Sequence, residues 1–183
     1  VVLAAIGRVP NTDADWFRSS GLKLDERGYV TVDGYGRTNL DGVWALGDIT
    51  PGHALAHRAF EQGITIAEKI AGADPKPVLD DTVPQVVFSF PEAASVGLTL
   101  DQAKAREDVV EPKETAYPML SNARMLMSGE GGSMTVVSGA FANNPDMQVV
   151  LGVHIVSPIA SDLIAEAEQL VGNRVPLADA ARL

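Results

Sequence analysis

The sequence contains no cysteine among its 183 residues. This absence excludes a thiol nucleophile, a redox disulfide and a thiolate metal site within the chain. The three histidines, His53, His57 and His154, do not have the spacing of a zinc motif, so we expect no metal site. The lack of cysteine is also typical of a reducing compartment, and we predict a cytoplasmic location.

Long apolar runs and an excess of positive charge are also lacking. No run approaches the roughly 20 apolar residues that a membrane-spanning helix needs. The formal net charge is -10, which argues against a nucleic acid or an anionic membrane as a partner. Hydrophobic residues nevertheless make up 46% of the chain, enough to form a packed core in one large domain or two small ones.

The first half of the chain predicts short buried strands and helices. The apolar residues 1–6, followed by Gly7, are typical of a buried strand in an open sheet. Four further segments have the composition or periodicity of regular structure: strands at 29–33 and 43–46, a short helix at 15–20 before Gly21, and a helix at 53–71 with an apolar stripe at Leu55, Ala59, Phe60, Gly63, Ile66, Ala67 and Ile70. A stretch with two prolines at 73–77 predicts a linker, and we place a domain boundary near Asp80.

The second half predicts an α+β layer, with an antiparallel sheet and helices packed against it. Strands are expected at 83–90, 109–117, 133–141 and 148–156, with a turn at 143–146. Thr99 and Gln102 have capping-box spacing and predict a short helix through Arg106. A second helix is expected from Ser157 to Gly172, with Pro158 in its first turn and an apolar stripe at Ile159, Leu163, Ala167 and Leu170.

Three short segments of the first half have features of a ligand site. Gly47-Asp48 places a carboxylate after a short strand, where open α/β sheets bind ligands, although the dipeptide could simply start a turn. Residues 54–57 begin a helix, whose free N–H groups favour an electron-rich group, although any helix begins in this way. Gly7 leaves room for a ligand near a strand end, although it could equally belong to an ordinary loop.

Taken together and in order, these segments resemble the class I pyridine nucleotide-disulfide oxidoreductases. The resemblance covers essentially the whole chain. It rests on five ordered segments: Gly-Arg-Val-Pro-Asn at 7–11, Thr-Asn-Leu-Asp-Gly-Val-Trp-Ala-Leu-Gly-Asp at 38–48, Leu-Ala-His at 55–57, the Val-Pro to Gly-Leu-Thr segment at 83–99, and Leu-Gly-Val-His-Ile-Val at 151–156.

The resemblance implies two cofactors, FAD and NAD, and a set of residues that bind them. Asp48, after Gly47, would hydrogen-bond the ribityl chain of FAD. The helix start at Ala54, Leu55, Ala56 and His57 would face the pyrimidine side of the flavin, and Gly7 would lie near NAD. Residues 1–80 would then be the end of the NAD-binding domain with a FAD-contacting segment.

Residues 81–183 would form the interface domain, and residues 82–183 would make a homodimer. The family's dinucleotide fingerprint and cysteine pair are missing from this sequence, and its His-Glu segment would begin beyond Leu183. We therefore assign no catalytic residue, expect the 183 residues alone to catalyse nothing, and interpret both ends as cuts through a longer protein.

Within the family, Leu55-Ala56-His57 points to the dihydrolipoyl dehydrogenases, whose partner is the lipoyl domain of a 2-oxoacid dehydrogenase complex. Relatives acting on mercuric ion, on mycothione or glutathione disulfides, or on quinones are the alternatives within the family. A non-catalytic dimerisation module is the alternative outside the enzymes, but Gly7, Asp48 and the Leu-Ala-His segment have no evident purpose in such a module.

Overall fold

The structure is a computed structural model that describes residues 1–182, and it divides into two compact units. The first comprises Val1–Asp80 and the second begins at Asp81. Each unit has its own hydrophobic core. A 3-10 turn, Asp80–Thr82, lies at the division.

The first unit contains little regular structure. It has two helices, α1 (Asp15–Ser19) and α2 (Ala56–Ile70), and a 3-10 turn at Gly47–Ile49. Its core is small and consists of Phe17, Val30 and Ala45, with a few partly buried neighbours. Between the helices the structure describes two isolated antiparallel bridges, Leu24 to Val30 and Arg37 to Trp44, together with scattered backbone hydrogen bonds such as that from Val30 to Ile49.

Hydrogen bonds between side chains and the backbone hold several loops of the first unit, where no ladder of paired strands is present among the residues described. Asp33 Oδ1 accepts hydrogen bonds from the backbone N–H groups of Tyr35 and Arg37, each at 2.9 Å. Asp25 makes an equivalent pair of bonds earlier in the chain. Short polar side chains that bond to the backbone ahead of them replace ladder hydrogen bonds with local turns.

Several expectations for the first unit were wrong. Residues 1–6 form no strand, and the Val2 and Ile6 side chains are 95% and 99% exposed. A buried strand needs hydrogen-bonded neighbours, and no strand or bridge described within residues 1–182 pairs with this segment. For the same reason, 29–33 and 43–46 contain bridges and no ladder strand.

The helices of the first unit are nearer to expectation. The helix α1 lies within the predicted range, and Gly21 follows it at φ +80°. The helix α2 starts three residues later than predicted, because residues 53–55 are extended or turned. Its predicted stripe was partly wrong, since Phe60 and Ile70 are 73% and 63% exposed and Ala67 is also exposed. They lie on a face that this unit leaves uncovered.

The second unit is built on a five-stranded antiparallel sheet in the order β1-β2-β5-β4-β3. Its strands are β1 (Gln85–Val87), β2 (Glu92–Gly97), β3 (Val109–Pro118), β4 (Ser133–Phe141) and β5 (Asn144–Ser157). Its helices are α3 (Leu100–Ala105), α4 (Ala123–Ser128), α5 (Ala160–Gly172) and α6 (Leu177–Ala180), with a 3-10 turn at Met119–Ser121.

Two cores cover the two faces of this sheet. Successive residues of a strand point to opposite faces of the sheet. On β4, Val136 accordingly packs in one core and Val137 in the other. The larger core joins the sheet to α5 through residues such as Val153 and Ile164. The smaller core joins it to α3 through Ala103. The predicted α+β class, an antiparallel sheet with helices against it, is therefore confirmed.

Local signals were accurate in parts of this unit. The predicted bounds of β4 are those of the structure. Thr99 and Gln102 form the expected capping box, with both reciprocal hydrogen bonds in place, at the start of α3. Arg106 caps the C-terminus of α3, at the predicted end.

Other predictions in this unit need correction. The strand expected at 83–90 is limited to Gln85–Val87, and β2, directly after Pro91, was missed. The β4–β5 turn comprises Ala142 and Asn143, since Phe141 pairs with Asn144. The turn residues expected at 144–146 therefore belong to β5.

The helix α5 was predicted one step out of phase. Pro158 precedes it, because the helix begins at Ala160. Its buried residues are Ala160, Ile164, Ala167 and Val171, whereas the predicted stripe shared only Ala167 with this set. Leu163 and Leu170 are only partly buried and pack beside the core.

Candidate functional site

The best candidate site lies in the first unit, where residues 43–46 lead into the turn Gly47–Ile49. Gly47 has φ +73°, a conformation that favours glycine. It is buried, and a Cβ at its position would lie 3.5 Å from the Ala59 side chain of α2. Asp48 follows with an exposed side chain. The turn therefore packs on the helix through Gly47 and presents a carboxylate to the surroundings.

Three hydrogen bonds fix the position of this turn. The Gly47 backbone N–H donates to Gln62 Oε1 at 2.9 Å, which ties the turn to the second turn of α2. The Thr50 hydroxyl and backbone N–H both donate to the Gly47 carbonyl, at 2.8 and 3.0 Å. Thr50 is only 1% exposed, so these bonds are shielded from water. The turn is consequently held on both sides of Asp48.

The start of α2 is the second part of the site. Leu55 is the N-cap residue, and its extended backbone supplies no side-chain hydrogen bond to the first turn. The first turn contains no acidic residue. Ala54, Ala56 and His57 are exposed and Leu55 is half-buried. The partial positive charge of the helix terminus is therefore not neutralised by a side chain of the first turn.

Six of the seven predicted cofactor-binding residues lie within residues 47–57, a segment that is tied to α2 by the hydrogen bond from Gly47 to Gln62 and that ends in the first turn of this helix. Gly7 stands apart from them. It has φ +116° within the exposed segment that precedes Thr12, and a Cβ at its position would meet no atom within 4 Å. Its predicted proximity to NAD has no geometric support within this unit.

Sequence reasoning missed the residues that hold the site. Gln62, Thr50 and the buried Arg58 were not singled out. A polar residue in a helix is ordinarily interpreted as part of a solvated face. Nothing in the local sequence of α2 distinguishes Arg58 and Gln62 from exposed residues such as Glu61 and Glu68. The role of Gln62 is evident only from its hydrogen bond to Gly47, across the intervening loop. No sequence pattern marks such a pair of residues.

The chemistry available to this arrangement is binding. An exposed carboxylate accepts hydrogen bonds from ligand hydroxyls, and an uncapped helix terminus stabilises electron-rich atoms. Within residues 1–182, no cluster of three or more histidine, aspartate or glutamate residues is placed to hold a metal ion. None of the helices described is long and apolar enough to cross a membrane.

Two family models match the chain, one over each unit. Residues 1–63 match the model for pyridine nucleotide-disulphide oxidoreductase. Residues 83–183 match the model for the dimerisation domain of the same family. The second match spans more than half of the chain. The chain belongs to the pyridine nucleotide-disulphide oxidoreductase family.

Curated members of this family extend the likeness. The chain is 42% identical to dihydrolipoyl dehydrogenase of Cupriavidus necator over 168 residues, which are 91% of this chain and 34% of that protein. It is 41% identical to dihydrolipoyl dehydrogenase of Geobacillus stearothermophilus, over 90% of this chain and 34% of that protein. The chain thus spans about a third of the length of the curated relatives it matches.

Two solved structures share the fold of this chain. LpdA from Mycobacterium tuberculosis superposes with a TM-score of 0.84 at 32% identity, over 98% of this chain and 38% of that one. The HOCl-induced flavoprotein disulfide reductase RclA from Escherichia coli gives a TM-score of 0.76 at 23% identity, over 94% of this chain and 38% of that one, and shows the fold alone.

Proposed function

We propose that the chain is the C-terminal part of an FAD-dependent, NAD-linked disulfide oxidoreductase that oxidises dihydrolipoamide to lipoamide with reduction of NAD. The observation that carries the choice of reaction is the 42% identity to a dihydrolipoyl dehydrogenase over 91% of this chain. The exposed carboxylate of Asp48 and the start of α2, which has no side-chain cap, support the use of FAD. The family membership and the likeness to dihydrolipoyl dehydrogenases support the same reaction.

The residues of segment 47–57 fit FAD. When bound, FAD supplies two-electron exchange between the nicotinamide and a disulfide. Asp48 would accept hydrogen bonds from the hydroxyls of the ribityl chain, and Gly47 allows the turn that presents Asp48 to pack against Ala59 of α2. The start of α2 at Ala54, Leu55, Ala56 and His57 would direct its N–H groups at the electron-rich edge of the flavin.

The two units would have separate tasks in this enzyme. Residues 1–80 would supply the flavin contacts and, around Gly7, the end of the NAD-binding domain. Residues 82–183 would form a homodimer interface, and a lipoyl domain of a 2-oxoacid dehydrogenase complex would be the partner. No side chain of this chain is assigned to the thiol step, because it contains no cysteine, and none of its three histidines is assigned to the acid-base step.

Other family reactions remain alternatives. A mercuric, mycothione, glutathione or quinone reductase of this family would use the same FAD contacts, since FAD is common to these reactions. A dimerisation module without redox function is the alternative outside the enzymes. The exposed Asp48 beside an uncapped helix terminus argues against that module, since it would have no ligand there.

The direct test is NADH formation from NAD and dihydrolipoamide by the enzyme that contains this chain, with the 183-residue chain assayed in parallel. We expect turnover by the enzyme and none by the chain alone. Turnover by the chain alone would contradict the assignment of catalysis to other segments. An enzyme with a tightly bound, reducible flavin but no such turnover would have another disulfide, a metal ion or a quinone as substrate.

The flavin contact itself can be tested with Asp48→Asn in the enzyme. Loss of a charged acceptor for a ribityl hydroxyl should raise the FAD dissociation constant about tenfold, equivalent to a lost hydrogen bond of about 1.4 kcal/mol. Asp41→Asn is the matched control, because Asp41 is also exposed and precedes the same turn. Equal dissociation constants for both variants would remove Asp48 from the binding site.

A further inference from the structure

A buried arginine near the start of α2 reaches across to the loop that contains Asp48. Arg58 is the third residue of the helix, and its side chain is 6% exposed. Its Nη2 donates to the Pro51 carbonyl at 2.6 Å, and its Nε donates to Asp80 Oδ1, also at 2.6 Å. A single guanidinium therefore joins the loop, the helix and the end of the first unit.

The backbone of the loop is shaped around this guanidinium. Gly52 has φ +116°, and a Cβ at its position would overlap both the Arg58 guanidinium and the Asp80 carboxylate. A side chain at Gly52 would therefore displace the pair as well as strain the backbone. Together with the bond from Gly47 to Gln62, these contacts fix both ends of the loop segment 47–52 on α2.

The arrangement is a costly one for stability alone. The Arg58 Nη1 is buried and has no hydrogen-bond partner among the residues described. A buried donor without an acceptor costs free energy, and a buried ion pair often contributes no more than well-packed apolar side chains would. Asp80, by contrast, is 43% exposed, so only the arginine bears the full desolvation. The contact to Pro51 thus favours a role in fixing geometry.

We propose that Arg58 is a positioning residue that holds the Asp48 loop and the start of α2 in the arrangement needed to bind FAD. This inference rests on the proposed function. Pro51 lies three residues after Asp48 and four before Leu55, at the middle of the segment whose two ends contact the flavin. Releasing the Pro51 carbonyl would allow these two ends to move independently of each other.

Substitutions at Arg58 separate this role from simple stabilisation. Arg58→Gln removes the charge and cannot reach both acceptors in the same geometry. Arg58→Lys keeps the charge and three N–H donors, but its compact ammonium lacks the planar fork in which separate nitrogens bond Pro51 and Asp80. Asp80→Asn keeps the bond to Pro51 while weakening the other one, and it serves as the milder variant if Arg58→Gln does not fold. Lys69→Gln is the control, because Lys69 lies at the far end of the same helix and forms an ion pair with Asp74, which is exposed.

The experiment measures the FAD dissociation constant and the visible spectrum of bound flavin in the enzyme, and amide hydrogen exchange over residues 47–55. We expect about a tenfold weaker FAD binding and a shifted flavin spectrum for Arg58→Gln, with partial recovery in Arg58→Lys. Exchange over 47–55 should be faster in Arg58→Gln, also without FAD. Asp80→Asn should show a smaller change in the same direction, and Lys69→Gln should match the wild type in all three readouts.

The results distinguish a failure of FAD binding from a failure of the role of Arg58. If the wild-type enzyme binds no FAD, the proposed function is overturned. The role of Arg58 on the loop is then tested by comparing amide exchange over 47–55 in the unliganded wild type and in unliganded Arg58→Gln. Wild-type FAD binding, spectrum and exchange in Arg58→Gln would overturn the positioning role. The same conclusion follows if FAD affinity falls only in proportion to a lowered melting temperature and Arg58→Lys recovers nothing.

Discussion

The two units of this chain are stabilised in different ways. The second has a five-stranded ladder and two buried cores, whereas the first has a core of three buried residues and single bridges between its loops. Apolar residues on α2, such as Phe60 and Ile64, are 73% and 54% exposed in the first unit. Burial of apolar surface is the main favourable term in folding, so the second unit should be the more stable of the two.

The comparison also separates scaffold from site. The segment proposed to bind FAD, 47–57, lies in the unit with the smaller core and is held by polar contacts of Gln62, Thr50 and Arg58. Regions of low local stability commonly contain binding loops, because a ligand can contribute the missing stabilisation. We infer that FAD would stabilise the first unit far more than the second.

The largest expected effect is a truncation in the main core of the second unit. Ile164→Ala should lower the free energy of unfolding by about 2–5 kcal/mol, because Ile164 is 4% exposed and the cavity would be lined by sheet residues. Ile64→Ala in α2, at 54% exposure, is the control and should cost less than about 1 kcal/mol. Denaturant unfolding of the whole chain measures both, and equal losses would remove the distinction between the units.

A smaller loss is expected where two strands of the second unit approach most closely. Gly152 on β5 pairs with Gly97 on β2, and a Cβ on Gly152 would overlap the Leu98 carbonyl. Gly152→Ala should therefore cost about 1–3 kcal/mol through backbone displacement. Gly63→Ala in α2, where a Cβ meets nothing within 4 Å, should be neutral or stabilising, as judged by thermal unfolding. A neutral Gly152→Ala would mean that the sheet yields more readily than its packing implies.

The capping box of α3 should contribute about as much as an isolated cap does. The Thr99 hydroxyl accepts from the Gln102 N–H at 3.3 Å, while Gln102 reaches back to the Thr99 N–H at 2.9 Å. Thr99→Ala should lower the free energy of unfolding by about 1 kcal/mol, since α3 covers the smaller core. Thr99→Ser retains the hydroxyl and should recover most of that loss in the same unfolding experiment.

The smallest expected effect depends on pH. Glu92 Oε2 accepts the Ser161 backbone N–H at 2.8 Å, and hydrogen bonding by Ser161 holds the pKa of Glu92 below its ordinary value of 4.5. A lowered folded-state pKa gives stability that is present above the unfolded pKa and lost as the pH falls through the folded pKa. The melting temperature of the wild type should therefore fall more than that of Glu92→Gln on acidification from about pH 6 to about pH 3. Parallel profiles would contradict this link between β2 and α5.

Much of the second unit could be predicted from its sequence because its signals are local. The bounds of β4 follow from β-branched alternation, and the capping box of α3 follows from two residues three apart. The strand β2 was missed because its small residues, such as Ala93 and Ser95, lack the usual strand composition. The phase of α5 was wrong because Ile159 and Ala160 both suit a core, and only the sheet decides between them.

In the first unit, the sequence gives less guidance because tertiary contacts decide the outcome. Residues 1–6 have the composition of a buried strand, yet no described strand pairs with them. The site segment was predicted through resemblance to a family, and its role in binding a cofactor stays a prediction. The contacts that hold it, above all those of Arg58, depend on loop geometry that no spacing rule describes.

We infer that the first unit binds the cofactor and that the second unit serves as the scaffold. Amide hydrogen exchange of the enzyme that contains this chain, measured with FAD bound and after FAD removal, tests it most directly. We predict that removal accelerates exchange over residues 47–57 and leaves β2, β4 and β5 as protected as before. Unchanged exchange over 47–57 in an enzyme that binds FAD, or an equal loss of protection in the sheet, would contradict the claim.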